Sequence, residues 1–110
     1  MIVRTWTGWT ENGKAEAYEE YMHEEALAGY ARVPGNLGVL MTKRPAAGDR
    51  TEFLMISLWE SWDSIRAFAG EDPSRAVFYP RDDELLADRQ LDVSHYEVYG
   101  STPALGTPSR

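Results

Sequence analysis

His95, in the stretch Val93-Ser94-His95-Tyr96-Glu97-Val98, is the first residue with chemical potential. An imidazole there can act near neutral pH as a general base. The alternative is a structural histidine bonded to a strand neighbour or facing a second subunit. Arg4 and Trp6 are two residues apart in the opening stretch IVRTWTGW, so on a strand they point to one side. Arg4 can then stabilise an anion while Trp6 stacks on a ring; equally, Arg4 can pair with Glu97 across neighbouring strands. Glu25 interrupts an apolar helical stripe and needs Arg4, His95 or a tyrosine hydroxyl as partner, unless it escapes to solvent. Beside His95 it would orient the ring and raise its basicity. Trp59 ends a strand on the side of Met55 and Ser57, where its indole serves as core or as a surface for an aromatic ligand, and Tyr79 can close the same pocket.

Other chemistries find little support. His23, with Glu19 and Glu20 one turn back, suggests a metal site only on a charged helix face that lacks a third ligand, so no metal is expected. The chain has no cysteine, hence no disulfide, thiolate nucleophile or zinc-thiolate site. There is no Gly-rich phosphate loop and no nucleophile elbow. Eleven basic against eighteen acidic residues give a net charge of −7, which repels a phosphate backbone, so nucleic acid is not an expected partner. The opening MIVRTWTGW carries no basic-then-apolar leader, and no apolar run approaches the length of about 18 residues that spans a bilayer. A soluble, cytoplasmic chain without a membrane partner is the expectation.

The elements that must position these side chains can be read from periodicity. Residues 2–9 are rich in β-branched and aromatic types and predict a strand. From Lys14 to about Tyr30 the spacing is helical, with Ala15, Tyr18, Met22, Ala26 and Gly29 on one face at 100° per residue and Glu25 at its edge. Val33-Pro34-Gly35 interrupts, and 36–44 and 51–59 predict two strands joined by a hairpin loop with a Gly-Asp turn. Ser61 is a plausible N-cap for a helix closed by Gly70, whose Trp62, Ile65, Phe68 and Ala69 share a face, with Trp62 expected in the core. Asp72-Pro73 predicts a helical turn over 73–79, and another turn falls in 82–88. Residues 91–99 predict a last strand adjacent to the first, so that Arg4, Trp6 and His95 converge.

The order strand, helix, strand, strand, helix, strand predicts a ferredoxin-like α+β domain over 1–100, with an antiparallel sheet and both helices on one face. Residues 101–110 predict a disordered tail. Four Trp, six Tyr and three Phe are a large aromatic stock for 110 residues. The strand over 51–59 is apolar on both sides, so the face away from the helices calls for a second subunit.

Trp6, Pro34-Gly35-Asn36-Leu37-Gly38, Glu52-Phe53, Ser57-Leu58-Trp59-Glu60-Ser61, Phe68-Ala69-Gly70-Glu71-Asp72, Tyr79-Pro80 and the stretch around His95 together resemble the antibiotic biosynthesis monooxygenase family of dimeric α+β barrels. The likeness spans roughly residues 2–99. It implies a homodimer with a pocket between sheet and helices in each subunit, a small aromatic ligand, and oxidation of phenols by O2 with no metal or flavin cofactor. Members of that type carry an Asn four residues before the tryptophan that matches Trp59, where this chain has Met55. Their downstream Tyr and Arg match Ile65 and Tyr79. Haem-degrading relatives carry an Asn on the first strand and a ligating His on the helical side; this first strand has no Asn, and 60–94 contains no His. The resemblance therefore leaves two functions open, a cofactor-independent monooxygenase and a non-catalytic small-molecule-binding dimer.

Overall fold

A computed structural model of the chain describes residues 1–102. Strand β1 (Ile2–Glu11) lies at the centre of one antiparallel sheet, with one backbone edge paired to β3 and the other to two short strands near the C-terminus. It pairs along its whole length with β3 (Arg50–Trp59), placing Ile2, Arg4, Trp6 and Gly8 opposite Trp59, Ser57, Met55 and Phe53. Beyond β3 lies the edge strand β2 (Asn36–Ala46), where Pro45 costs no interior ladder bond. The β2–β3 hairpin turns through the three residues between paired Ala46 and Arg50, of which Gly48 and Asp49 are at positive φ (77° and 55°), a conformation that Gly and Asp tolerate.

The long helix is continuous but not uniform. α1 (Ala15–Tyr21) passes through a π-helical turn, Met22–Ala26, into α2 (Leu27–Ala31). Tyr18, Tyr21, Met22 and Ala26 pack on Phe53 and Met55, with Leu85 and Leu86 of the α4 (Asp82–Leu85) region closing that core. A wider turn rotates the chain through less angle per residue, so Glu25 lags behind the position that 100° per residue predicts, falls away from the apolar stripe, and is exposed.

α3 (Trp62–Ala69) starts at a reciprocal cap in which Ser64 N–H donates to Ser61 Oγ and Ser61 N–H donates to Ser64 Oγ, each at 3.2 Å. Gly70, at φ 96°, ends it. Ile65 packs on Ile2 and Trp59 in a second core cluster. The expected core role of Trp62 is not found: it is 36% exposed and its ring lies against His95, with centroids 4.9 Å apart.

The last strand departs from expectation. β4 (Asp88–Arg89) and β5 (Ser94–Glu97) both pair with the free edge of β1, at Gly8–Trp9 and at Ile2–Thr5. Between them the chain leaves β1 because its backbone bonds elsewhere: Ala76 N–H donates to Leu91 O at 2.9 Å and Val93 N–H to Ser74 O at 2.8 Å. The segment 73–79, predicted as a helical turn, keeps only a single turn at its start, where Arg75 N–H donates to Asp72 O at 3.3 Å, and then runs as an extended strap across the helix side of the sheet.

The strand order β2-β3-β1 followed by β4 and β5, with all helices on one face, is a ferredoxin-like α+β fold. Among the described residues no helix is long and apolar enough to cross a membrane. The expected tail lies, from residue 103 on, outside the described residues.

Candidate functional site

Arg4 sits on the helix face of β1 and is 3% exposed. Strand alternation put it there, and the strap holds it: Nη1 donates to Pro73 O at 2.5 Å and Nη2 to Arg75 O at 2.9 Å. Nη1 also lies 3.0 Å from Nε2 of His95, its register partner on β5. A guanidinium has only donors, so His95 accepts through Nε2 and is neutral with its hydrogen on Nδ1. Burial, then the Arg4 charge, holds the His95 pKa below its ordinary value. Burial likewise lowers that of Arg4. Among the described residues no carboxylate pairs with Arg4; all its partners are neutral, and its charge also faces the Phe68 ring at 5.8 Å.

Next along the face, Trp6 donates from Nε1 to Gln90 O at 2.6 Å, and its ring lies directly over Gly8. A side chain at Gly8 would collide with the indole, which fixes the need for glycine there. Arg4, Trp6, Tyr30, Met55, Phe68 and Tyr79 line a small cavity of about 20 Å³ between sheet and helices, completed by Met22, Val77, Asp82 and Val93. In this conformation it has room for about one water.

Polar atoms around this cavity lack partners. Tyr79 hydroxyl, Asp82 Oδ1 and the nearby Tyr18 hydroxyl are buried with no hydrogen-bond partner among the described residues. The other oxygen of Asp82 accepts from Tyr79 N–H at 2.7 Å. Desolvation raises the Asp82 carboxyl above the usual carboxylate range, and burial pushes the Tyr18 and Tyr79 phenols up, so both stay neutral. A wider groove of about 310 Å³ opens on the other side of Met22 and Met55, walled by Tyr18, Leu27, Val39, Met41 and Phe53. Met22 and Met55 line both spaces.

Of the residues singled out from sequence, Arg4, Trp6, Met55 and Tyr79 meet at the inner cavity, and His95 contacts Arg4 from behind. Three stand apart. Glu25 is exposed on the π-helical turn and cannot orient His95. Trp59 is 0% exposed, donates from Nε1 to Ser57 Oγ at 2.8 Å, and packs against Tyr30 and Phe68. Neither Trp59 nor Ser57 lines either space, because Phe68 and Tyr30 stand in front of the indole. The alternative Arg4–Glu97 pair does not form, since Glu97 is opposite Ile2. Tyr30, Phe68 and Asp82 were not foreseen at the site. Phe68 was expected only on the shared apolar face of α3; Asp82 sits in the acidic run Asp82-Asp83-Glu84, and the signal that marks it as the buried member is Leu85 and Leu86 at i+3 and i+4, both in the core. Among the described residues no group of three His, Cys, Asp or Glu side chains is placed to hold a metal.

Comparison with known proteins follows the same lines. The sequence profile described as antibiotic biosynthesis monooxygenase matches residues 1–78. Among solved structures, the haem-degrading MhuD of Mycobacterium tuberculosis superposes with a TM-score of 0.61 at 20% identity, covering 93% of this chain and 99% of that one. SnoaB of Streptomyces nogalater, a cofactor-independent oxygenase, gives 0.59 at 22% identity over 93% and 97%. The ActVA-Orf6 monooxygenase of Streptomyces coelicolor, solved with nanaomycin D, gives 0.59 at 19% over 92% and 89%. At these identities the likeness is one of fold. No curated protein sequence matches the chain.

Proposed function

The chain belongs to the antibiotic biosynthesis monooxygenase family, and from that premise we propose that it is a homodimeric, cofactor-independent monooxygenase that oxidises a small phenolic substrate with O2. The observation that carries this reading is Arg4: a buried guanidinium with only neutral partners, facing an aromatic-walled cavity. Such a fixed charge in a water-poor site stabilises an anion far better than it would in water. A phenol or hydroxyanthrone that gives its proton to solvent becomes that anion and can pass an electron to O2, the proton being returned when the peroxide forms. The resulting superoxide sits beside the same positive charge, joins the substrate radical as a peroxide, and loses water to leave a carbonyl. Substrate supplies all four electrons; one oxygen atom ends in product and one in water. His95 acts here by holding Arg4, since its Nε2 lone pair is already engaged.

Oxygen uptake with a hydroxyanthrone and with dihydroxynaphthalenes tests the proposal. Arg4→Met should lower kcat by about 100-fold or more, in the range seen for loss of a preorganised charge-stabilising donor, while Arg4→Lys retains part of the activity. No uptake by the wild type with any of these substrates would remove the reaction. The second reading, a binding dimer without catalysis, is favoured by Met55 at the position where phenol-oxidising relatives carry Asn. It predicts saturable quenching of tryptophan fluorescence by the same compounds with no oxygen consumed.

A further inference from the structure

Three buried polar atoms from three segments end in one small region without partners: the hydroxyl of Tyr18 on α1, the hydroxyl of Tyr79 on the strap, and Oδ1 of Asp82 at the start of α4. Leaving such groups unpaired costs on the order of 1–3 kcal/mol each, so a fold that gathers them has a reason outside its own packing. Asp82 is the most demanding of the three. It is 3% exposed and lines the inner cavity; Oδ2 is satisfied by Tyr79 N–H, which leaves Oδ1 without a partner and, when the carboxyl is ionised, a pure acceptor. A carboxylate oxygen asks for a donor, which an ether or a quinone carbonyl cannot supply.

The inner cavity alone admits no aryl group, but the groove beyond Met22 and Met55 does, and these two side chains line both spaces. Methionine is unbranched and changes rotamer at little cost. Met22 also begins the π-helical turn, a backbone irregularity that recurs at functional sites. We infer that Asp82 is the receptor for a ligand hydroxyl, and that an aryl alcohol of the phenol or naphthol type reaches it from the groove between Met22 and Met55. This rests on the reading above only for the aromatic character of the ligand. The charged and titratable groups facing Asp82 are Tyr18, Tyr79, Asp83 and Arg89. Arg89 favours the ionised carboxyl and Asp83 opposes it.

Anaerobic fluorescence and calorimetric titrations with 2-naphthol and 2-methoxynaphthalene separate the possibilities, because the two share a ring system and differ in the donor. Wild type should bind 2-naphthol at least about tenfold more tightly, as expected when a buried acceptor is left unpaired by the ether. Asp82→Asn, which keeps an oxygen for Tyr79 N–H, should shrink that gap to less than threefold. In the wild type the gap should also close as pH falls and Asp82 takes up a proton, a measurement independent of any variant's folding. Equal binding of both compounds, a gap retained by Asp82→Asn, or no binding of 2-naphthol at millimolar concentration would each overturn the assignment. Oxygen uptake is scored separately: uptake without discrimination removes Asp82 and leaves the monooxygenase, whereas discrimination without uptake does the reverse.

Discussion

Arg4 and His95 share one proton-poor contact, and its polarity decides what each can do. Since the guanidinium must donate, the imidazole must accept, and a lone pair occupied at 3.0 Å is not available to take a substrate proton. His95→Gln, whose side-chain oxygen can still accept from Arg4, should therefore lower oxygen uptake by less than about tenfold and leave the acid limb of the rate profile where it is; removing a true general base costs about 10²–10⁴. The same residue predicts a stability signature. Its folded pKa lies below its unfolded value, so the unfolded chain binds the extra proton first. Stability should then fall as pH drops below about 6.5 and level off under the folded value. His95→Gln should flatten that decline in urea-unfolding curves taken between pH 7.5 and 5; an unchanged slope would mean that the decline comes from other groups. Asp82 acts with the opposite sign: its raised folded pKa costs stability as pH rises through it. The juxtaposition of Arg4 and His95 was legible from alternation plus adjacency of first and last strands. The direction of the hydrogen bond was not, because register must be known before partners can be.

The elements divide by the range of the signals that make them. β1, β2, β3 and α3 follow from local patterns: alternation, a Gly-Asp turn, a serine cap and a closing glycine. The strap over 73–79 was misread as a helical turn because Asp72-Pro73 is locally a helix start. Beyond its first turn its backbone groups are instead claimed by Leu91, bonded to Ala76, and Val93, bonded to Ser74, and no local pattern announces such distant partners. The π-helical turn was hidden for a related reason, since a fixed 100° assigns Glu25 to the apolar stripe before packing selects the wider turn. That turn and β3 together supply the wall between groove and inner cavity, so the wall is where an element-scale test belongs. Met55→Ala should join the two spaces. It should cost about 2–5 kcal/mol of stability, as buried Met truncations do, yet raise the association rate of 2-naphthol several-fold in stopped-flow quenching. A slower or unchanged rate would show that Met55 is packing and not a barrier to passage.

At the scale of the molecule, the sheet has a covered face and a bare one. Helices and strap bury Ile2, Arg4, Phe53, Met55, Ser57 and Trp59, whereas the other face presents Val3, Trp9, Leu54, Ile56 and Leu58, with Leu40 51% and Tyr96 59% exposed. A contiguous apolar surface of this kind is rare on monomers and marks an interaction site. The pattern was visible in sequence as a strand apolar on both sides, although alternation alone could not say which side the helices would take. A second copy is the occupant that family membership supports, and pairing two such sheets would bring the bare faces together at the roughly 10 Å spacing of stacked sheets. Ile56 lies on β3, flanked by Thr5 and Leu40 in the neighbouring strands, so a charge there would be buried in the interface without a partner. Ile56→Asp should convert a dimer into a monomer in sedimentation velocity at micromolar concentration. Because Ile56 points away from Arg4, Asp82 and Met22, the monomer should keep its discrimination between 2-naphthol and 2-methoxynaphthalene if each pocket is built within one subunit. Loss of dimer and discrimination together would instead mean that the sheet must be braced by its partner to hold β1 and β3 in register. A wild type that sediments as a monomer would leave the bare face without the cover argued for it.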